Sequence, residues 1–193
     1  MTAPEFPDQI QLTIHPDLAA KARHLTADTP ETRMQAVTAW ADWNVTQGEG
    51  PFAAGIFDLT DGTCISAGVN RVVSSTCSLA HAEVMAIMLA QQSLKCFSLA
   101  EKGRYVLTTS AEPCAMCFGA IPWSGVCQVE YGATRADVEA IGFDEGPKSK
   151  TWEADLVERG IQVLGPLGRT KAVAVLQAYA RKGGLLYNGG AGT

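Results

Sequence analysis

The sequence predicts a layered α/β domain built on a mixed sheet of five strands. Two patterns and one bulk property point there. Short apolar stretches nearly free of charge alternate with stretches whose apolar residues recur at helical spacing. Gly, Pro and Asp-Gly punctuate the joints between them. Hydrophobic residues make up 47 % of the 193, enough for a sizeable core. Strands that alternate with helices bury their faces by layering helices on a sheet.

The elements follow in order. Residues 1–30 read as an N-terminal extension, polar around His15 and His24, which are expected at the surface. Residues 31–47, ETRMQAVTAWADWNVTQ, carry apolar residues at helical spacing behind a Thr-Pro start, and Gly48 to Pro51 end the helix. FAAGIFDL (52–59) and CISAGVNRV (64–72) read as strands of a hairpin around Asp61-Gly62. Residues 80–94 are a strongly apolar helix. RYVLTTS (104–110) is a buried strand, AMCFGAIPW (115–123) a short helix and VCQVEYGA (126–133) the fourth strand. RADVEAIG (135–142) is a helical turn and IQVLGPL (161–167) an edge strand. The core domain thus covers 31–168. Residues 169–182 form a closing helix with Lys171, Arg181 and Lys182 outward, and a Gly-rich tail completes the segment 169–193. Leu185, Leu186 and Tyr187 are too apolar for a free tail, so something pins them.

A net charge of −5, with no Lys/Arg run, argues against a nucleic-acid surface. The start, MTAPEFPDQIQL, has neither the basic nor the apolar region of a signal peptide. No apolar run approaches the roughly 20 residues of a membrane span. The expected location is cytoplasmic. The six cysteines are then expected to be reduced. Cys64 and Cys96 read as small core residues, Cys127 as a strand residue and Cys77 as a bystander.

Cys114 and Cys117 need a chemical account. At the start of a helix, cysteines three apart point to one side, and the free N–H groups there favour thiolates. Pro113 suits the entry to that helix. His81 opens another helix. Two helix starts can therefore converge, with two thiolates and an imidazole around Zn²⁺. Three protein ligands leave a position for water, whereas a structural zinc is closed by four. Glu83, two residues past His81, can carry the proton of a water whose pKa zinc lowers toward ~7. A lone C-x-x-C also fits a redox pair or half a zinc ribbon. A structural zinc with a distant fourth ligand and a metal-free core remain the alternatives. Glu83 argues against both, because neither needs it.

The chain resembles the cytidine deaminase superfamily over about residues 35–165. H-A-E (81–83) and P-C-A-M-C (113–117) carry its signature in order and separation. GPFAAGIFD (50–58), GVNRVV (68–73), TSAEPCAMCFGAIPWSGV (109–126) and VEAIGFDEGPK (138–148) resemble the bacterial guanine deaminases within it. The last stretch sets them apart from the tRNA adenosine deaminases. The resemblance implies a three-layer α/β/α sandwich, a catalytic zinc on His81, Cys114 and Cys117, and a homodimer whose C-terminal segments are exchanged. It places Phe52, Asn70, Ala82, Trp123 and Tyr187 around a flat base, with Glu83 and Glu145 as the catalytic carboxylates. Asn70 is expected to offer the ring both a donor and an acceptor. Pro122 departs from the pattern and is expected to disturb Trp123.

Glu145 decides the implied substrate. Guanine shows N1–H and a 2-amino group on one edge, two donors that a carboxylate accepts together. Adenine shows an acceptor there, and an unpaired buried polar group costs about 1–3 kcal/mol. Asp144 is the neighbouring candidate for this role. The expected reaction is the zinc-dependent hydrolysis of guanine to xanthine and ammonia. The alternatives are a related amino-heterocycle (an ammeline-type triazine, guanosine or a pterin) and, less favoured by the charge, a tRNA adenosine.

Overall fold

The computed structural model describes residues 7–188. The beginning of the N-terminal extension and the Gly-rich end of the tail, residues 1–6 and 189–193, lie outside the described residues. Seven helices and five strands are formed there: α1 (Pro16–Ala22), α2 (Pro30–Thr46), β1 (Ala53–Asp58), β2 (Cys64–Val69), α3 (Ala82–Leu94), β3 (Tyr105–Ala111), α4 (Ala115–Ser124), β4 (Gln128–Ala133), α5 (Arg135–Glu139), α6 (Trp152–Val157), β5 (Gln162–Leu164) and α7 (Arg169–Arg181).

The sheet order is β2-β1-β3-β4-β5. The β1–β2 and β1–β3 pairs are antiparallel, and β3–β4 and β4–β5 are parallel. The sheet is mixed, as the alternation of elements predicts. Both faces are covered. Leu18 of α1, Val37 and Trp40 of α2, and Leu176 and Tyr179 of α7 share one core with Phe57 and Val106. Ala86 of α3, Ile121 of α4 and Leu156 of α6 share the other with Ile56, Leu107 and Val129. This is the three-layer arrangement.

Local chemistry explains the elements. Thr29 caps α2: its hydroxyl accepts from the Thr32 amide at 3.2 Å, and Thr32 returns the contact to the Thr29 amide at 3.1 Å. Gly68 lets α3 lie directly on β2, because a Cβ there would strike the Ala82 carbonyl and the Ala86 amide. Ser66 fixes the same approach by donating to the Ala86 carbonyl at 2.7 Å. Lys171, Arg181 and Lys182 face outward as expected.

Three elements differ from the sequence reading. The α1 helix in the N-terminal extension was not foreseen: Leu18 and Ala22 are its only buried residues, and one Leu–Ala pair in seven residues is too little apolar signal to mark a period. The α6 helix is as short and as silent. The last strand is only Gln162–Leu164, since Pro166 has no N–H to extend a ladder.

One buried network went unread. Both oxygens of Glu130 on β4 accept from Arg33 of α2, at 3.0 Å from Nε and 2.7 Å from the terminal nitrogen. Thr108 and Gln128 also donate to this carboxylate, at 2.7 and 2.8 Å. Both members of the ion pair are buried. Removing one partner strands a buried charge, so Arg33→Ala is expected to cost about 3–5 kcal/mol in urea unfolding. Unchanged stability would show that the pair is not needed to hold α2 on the sheet.

Candidate active site

His81 and Cys114 occupy the cap positions that start α3 and α4. Their carbonyls accept the first helical bonds, from Met85 at 2.9 Å and Phe118 at 2.8 Å. Neither side chain caps its own helix. Both are left to face each other, and the unpaired amides of two helix starts favour negative charge between them. Cys117 follows one turn into α4 and is fully buried.

The three donors are close. His81 Nδ1 lies 3.5 Å from Cys114 Sγ and 3.7 Å from Cys117 Sγ. All three ligand atoms lie within 4.8 Å of one another, and no fourth acid, His or Cys among the described residues joins the group. A tetrahedral zinc, with Zn–S about 2.3 Å and Zn–N about 2.05 Å, sets sulfur and nitrogen about 3.5 Å apart. The donor set fits that ion and leaves its fourth position to a small ligand.

The electrostatics agree with a cation site. The hydrogen bond from Cys117, helped by His81, pulls the Cys114 thiol down to about 4. The same bond, together with burial, holds the Cys117 thiol well above its ordinary range. Burial disfavours the His81 imidazolium, but its hydrogen bond and attraction to Cys114 raise it overall. Burial, and then the Cys114 charge, raise the Glu83 carboxyl. Such a cluster of displaced groups in one cleft is typical of a reactive site.

Residues 27–133 match the cytidine and deoxycytidylate deaminase zinc-binding region. The chain belongs to the cytidine and deoxycytidylate deaminase family. The guanine deaminase of Bacillus subtilis (strain 168) is 40 % identical to it over 112 residues, 58 % of this chain and 69 % of that protein. A structure of guanine deaminase from Nitrosomonas europaea is 41 % identical, with a TM-score of 0.88, covering 92 % of this chain and 100 % of that one. A chain solved in complex with 2,6-diaminopurine is 43 % identical, with a TM-score of 0.89 over 94 % of this chain and 97 % of that one.

In this deaminase a cavity of about 400 Å³ opens beside the three donors. That is a size for a small molecule. Phe52, Asn70, Ala82, Glu83, Asp144, Glu145 and Tyr187 line it with His81 and Cys114. Glu83 lies outside the ligand group, two residues along α3 from His81. Glu145 is 6 % exposed, and its Oε2 has no partner within the protein. Burial, and then the charges of Cys114 and Glu83, push its carboxyl up to about 8, against the pull of Lys148. A cation on Cys114 would offset that repulsion, and two donors of a bound base would favour the charged form. An unpaired acceptor held in a pocket is costly unless a ligand pairs it. Asp144 is exposed, and its Oδ1 already accepts from the Gly146 amide at 2.8 Å.

Asn70 lines the cavity, as expected. Its Oδ1 accepts from the Val72 amide at 3.2 Å, which orients the amide and leaves Nδ2 as the side chain's donor and one further acceptor position on Oδ1. Its backbone is held by Asn44, whose Nδ2 donates to the Asn70 carbonyl at 3.0 Å and the Gly50 carbonyl at 2.8 Å.

Trp123 is not brought to the cavity of its own chain. It is 83 % exposed. Cys117, Ile121 and Ser124 form the buried stripe of α4, and Trp123 lies off it. The helix runs on past Pro122 to a Gly125 cap.

Tyr187 reaches the cavity of its own chain, whereas the resemblance implies a segment exchanged with a partner. Its ring packs 4.9 Å from that of Phe143, which in turn meets Phe52 edge-on at 5.1 Å. Gly50 makes room for it: a Cβ there would collide with the Tyr187 hydroxyl. Asn188 ties the tail to the acidic loop, accepting from the Asp144 amide and donating to the Gly142 carbonyl, both at 2.9 Å. Phe143 and Asn188 were missed by the sequence reading. A lone aromatic before the acidic pair was the available signal for Phe143; Asn188 gave none.

Proposed function

We propose that this deaminase hydrolyses guanine to xanthine and ammonia, with one zinc ion held by His81, Cys114 and Cys117. The observation that carries the reading is Glu145, a buried carboxylate with a free oxygen in a cavity that also holds a three-donor metal cluster. Its free acceptor suits an edge made of donors, which guanine has and adenine lacks. Relatives named as guanine deaminases, similar over most of this chain's length, support the same substrate.

Zinc, when bound, supplies a Lewis acid that lowers the pKa of a water near the base. The chain's own residues do the rest. Glu83 takes one proton from the attacking water and gives it to a ring nitrogen. It then takes the second from the hydroxyl added at the carbon and gives it to the departing amine as the carbonyl forms. Glu145 accepts from N1–H and the 2-amino group and so places the carbon that loses ammonia. The Asn70 amide donates to an acceptor on the ring. Phe52 supports the flat face, and Tyr187 excludes water from the mouth. The chemistry balances as guanine plus water giving xanthine plus ammonia.

An ammonia-release assay across guanine, guanosine, ammeline, cytosine, cytidine, adenine and pterins tests the reading. Guanine should give the highest kcat/KM. A clear preference for another of these would overturn it. Activity should be lost on chelation and regained with zinc.

The tail gives a separate prediction. Deleting residues 183–193 should raise KM or lower kcat about tenfold or more, since it removes the cover over the base. Gly50→Ala should act in the same direction by displacing Tyr187. Unchanged kinetics in both would remove the tail from the site. The reading includes a homodimer in the cytoplasm. Leu79, Phe97 and Trp123 are exposed apolar side chains, and no helix among the described residues is long and apolar enough to cross a membrane.

A further inference from the structure

The loop that carries Glu145 is tied to the cysteine helix on both sides of Cys114. On one side, the Ala115 amide donates to the Glu145 carbonyl at 2.9 Å. On the other, the Lys148 ammonium donates to the Pro113 carbonyl and to Glu112 Oε1, each at 2.6 Å. The second Glu112 oxygen accepts from the Arg135 amide at 2.9 Å. Lys148 is only 8 % exposed, and its ammonium lies 4.6 Å from the centre of the Trp152 ring. Lysine is rarely buried so far unless it is paired. Lys148 does not line the cavity, so the proposed chemistry does not use it directly.

We propose that Lys148 is a positioning residue that fixes where the Glu145 carboxylate stands relative to Cys114, and so sets how well the pocket discriminates between base edges. The inference rests on Glu145 as the edge reader. Asn188 holds the loop before Glu145, and the Ala115 bond holds it at Glu145. The lysine supplies the hold on the far side, three residues later and across Cys114, so that Glu145 is fixed from both directions. The anchor is a charge-assisted contact flanked by an aromatic ring, which resists sliding better than a neutral one. A carboxylate displaced by about 1 Å is enough to cost on the order of 10²-fold in rate.

Three variants of the full zinc-loaded protein test this: Lys148→Met, Lys148→Arg, and Lys148→Met combined with Glu112→Gln, which removes the pair without stranding a buried charge. The readouts are KM and kcat on guanine, the guanine-to-adenine preference, zinc content, and hydrogen exchange at the Ala115 amide. In Lys148→Met, KM should rise about tenfold or more, with a smaller change in kcat, and the guanine preference should narrow. Exchange at Ala115 should quicken about tenfold, while β1 and β3 amides and the zinc content stay unchanged. The double variant should repeat this, and Lys148→Arg should recover most of it. Normal KM and normal Ala115 exchange in both methionine variants would overturn the proposal. So would exchange that quickens equally across the sheet, which marks a general stability element. Wild-type turnover of guanine checks the substrate reading separately, because Ala115 exchange needs no substrate.

Discussion

Replacing Glu83 by glutamine should leave a folded, zinc-loaded protein whose turnover has fallen by about 10³–10⁴-fold, near the upper end of what a positioned acid–base group contributes. Three features make the loss that large. Glu83 is buried in the cavity wall, 7 % exposed, so bulk water cannot replace it. It lies outside the donor group of His81, Cys114 and Cys117, so the metal should stay. Glutamine keeps its shape but cannot take up a proton. Burial already disfavours the Glu83 charge, so a neutral amide should cost no folding stability. Steady-state kinetics beside metal analysis and thermal unfolding check all three statements. An active Glu83→Gln protein with full zinc would remove the proton-shuttle role.

Glu145→Gln should lower kcat/KM on guanine by about 10²-fold or more. Glutamine retains one acceptor but turns a donor toward donors of the base. A charge-assisted bond of about 1.5–3 kcal/mol is lost and a mismatch is added. Glu145→Ala should lose the bond without the clash. Asp144→Asn should change little, because Asp144 is exposed and its carboxylate is occupied by the Gly146 amide. Zinc content should be untouched in all three. A large loss at Asp144 and none at Glu145 would reverse the assignment. No loss at either would reduce the acidic loop to a turn.

Much of the metal cluster could be read directly from the chain because its chemistry is local. Glu83 lies two residues from His81, Cys117 lies three from Cys114, and both helix starts are written in the flanking residues. Sheet and layers were legible for a similar reason, since each strand is a separate apolar run. Long-range pairing was not legible. Arg33 and Glu130 are 97 positions apart, and each looks like an ordinary surface charge until the fold buries them together. Lys148 and Glu112 hid in the same way. Asn70 was visible as a site residue, but the orientation of its side chain depends on the Val72 amide. Trp123 was placed by resemblance, and the buried stripe of α4 turns it outward. The tail was legible only as too apolar to be free. That Tyr187 seats against Gly50 is a matter of packing, which no spacing encodes.

A buried carboxylate beside the donor site of His81, Cys114 and Cys117 is proposed to select a base by its donor edge. Equimolar guanine and adenine, incubated together with the zinc-loaded protein and followed by chromatography, test it most directly. The account predicts that xanthine accumulates, that adenine persists, and that Glu145→Gln slows xanthine formation without any loss of zinc. Hypoxanthine appearing from adenine at a rate comparable to xanthine would contradict it.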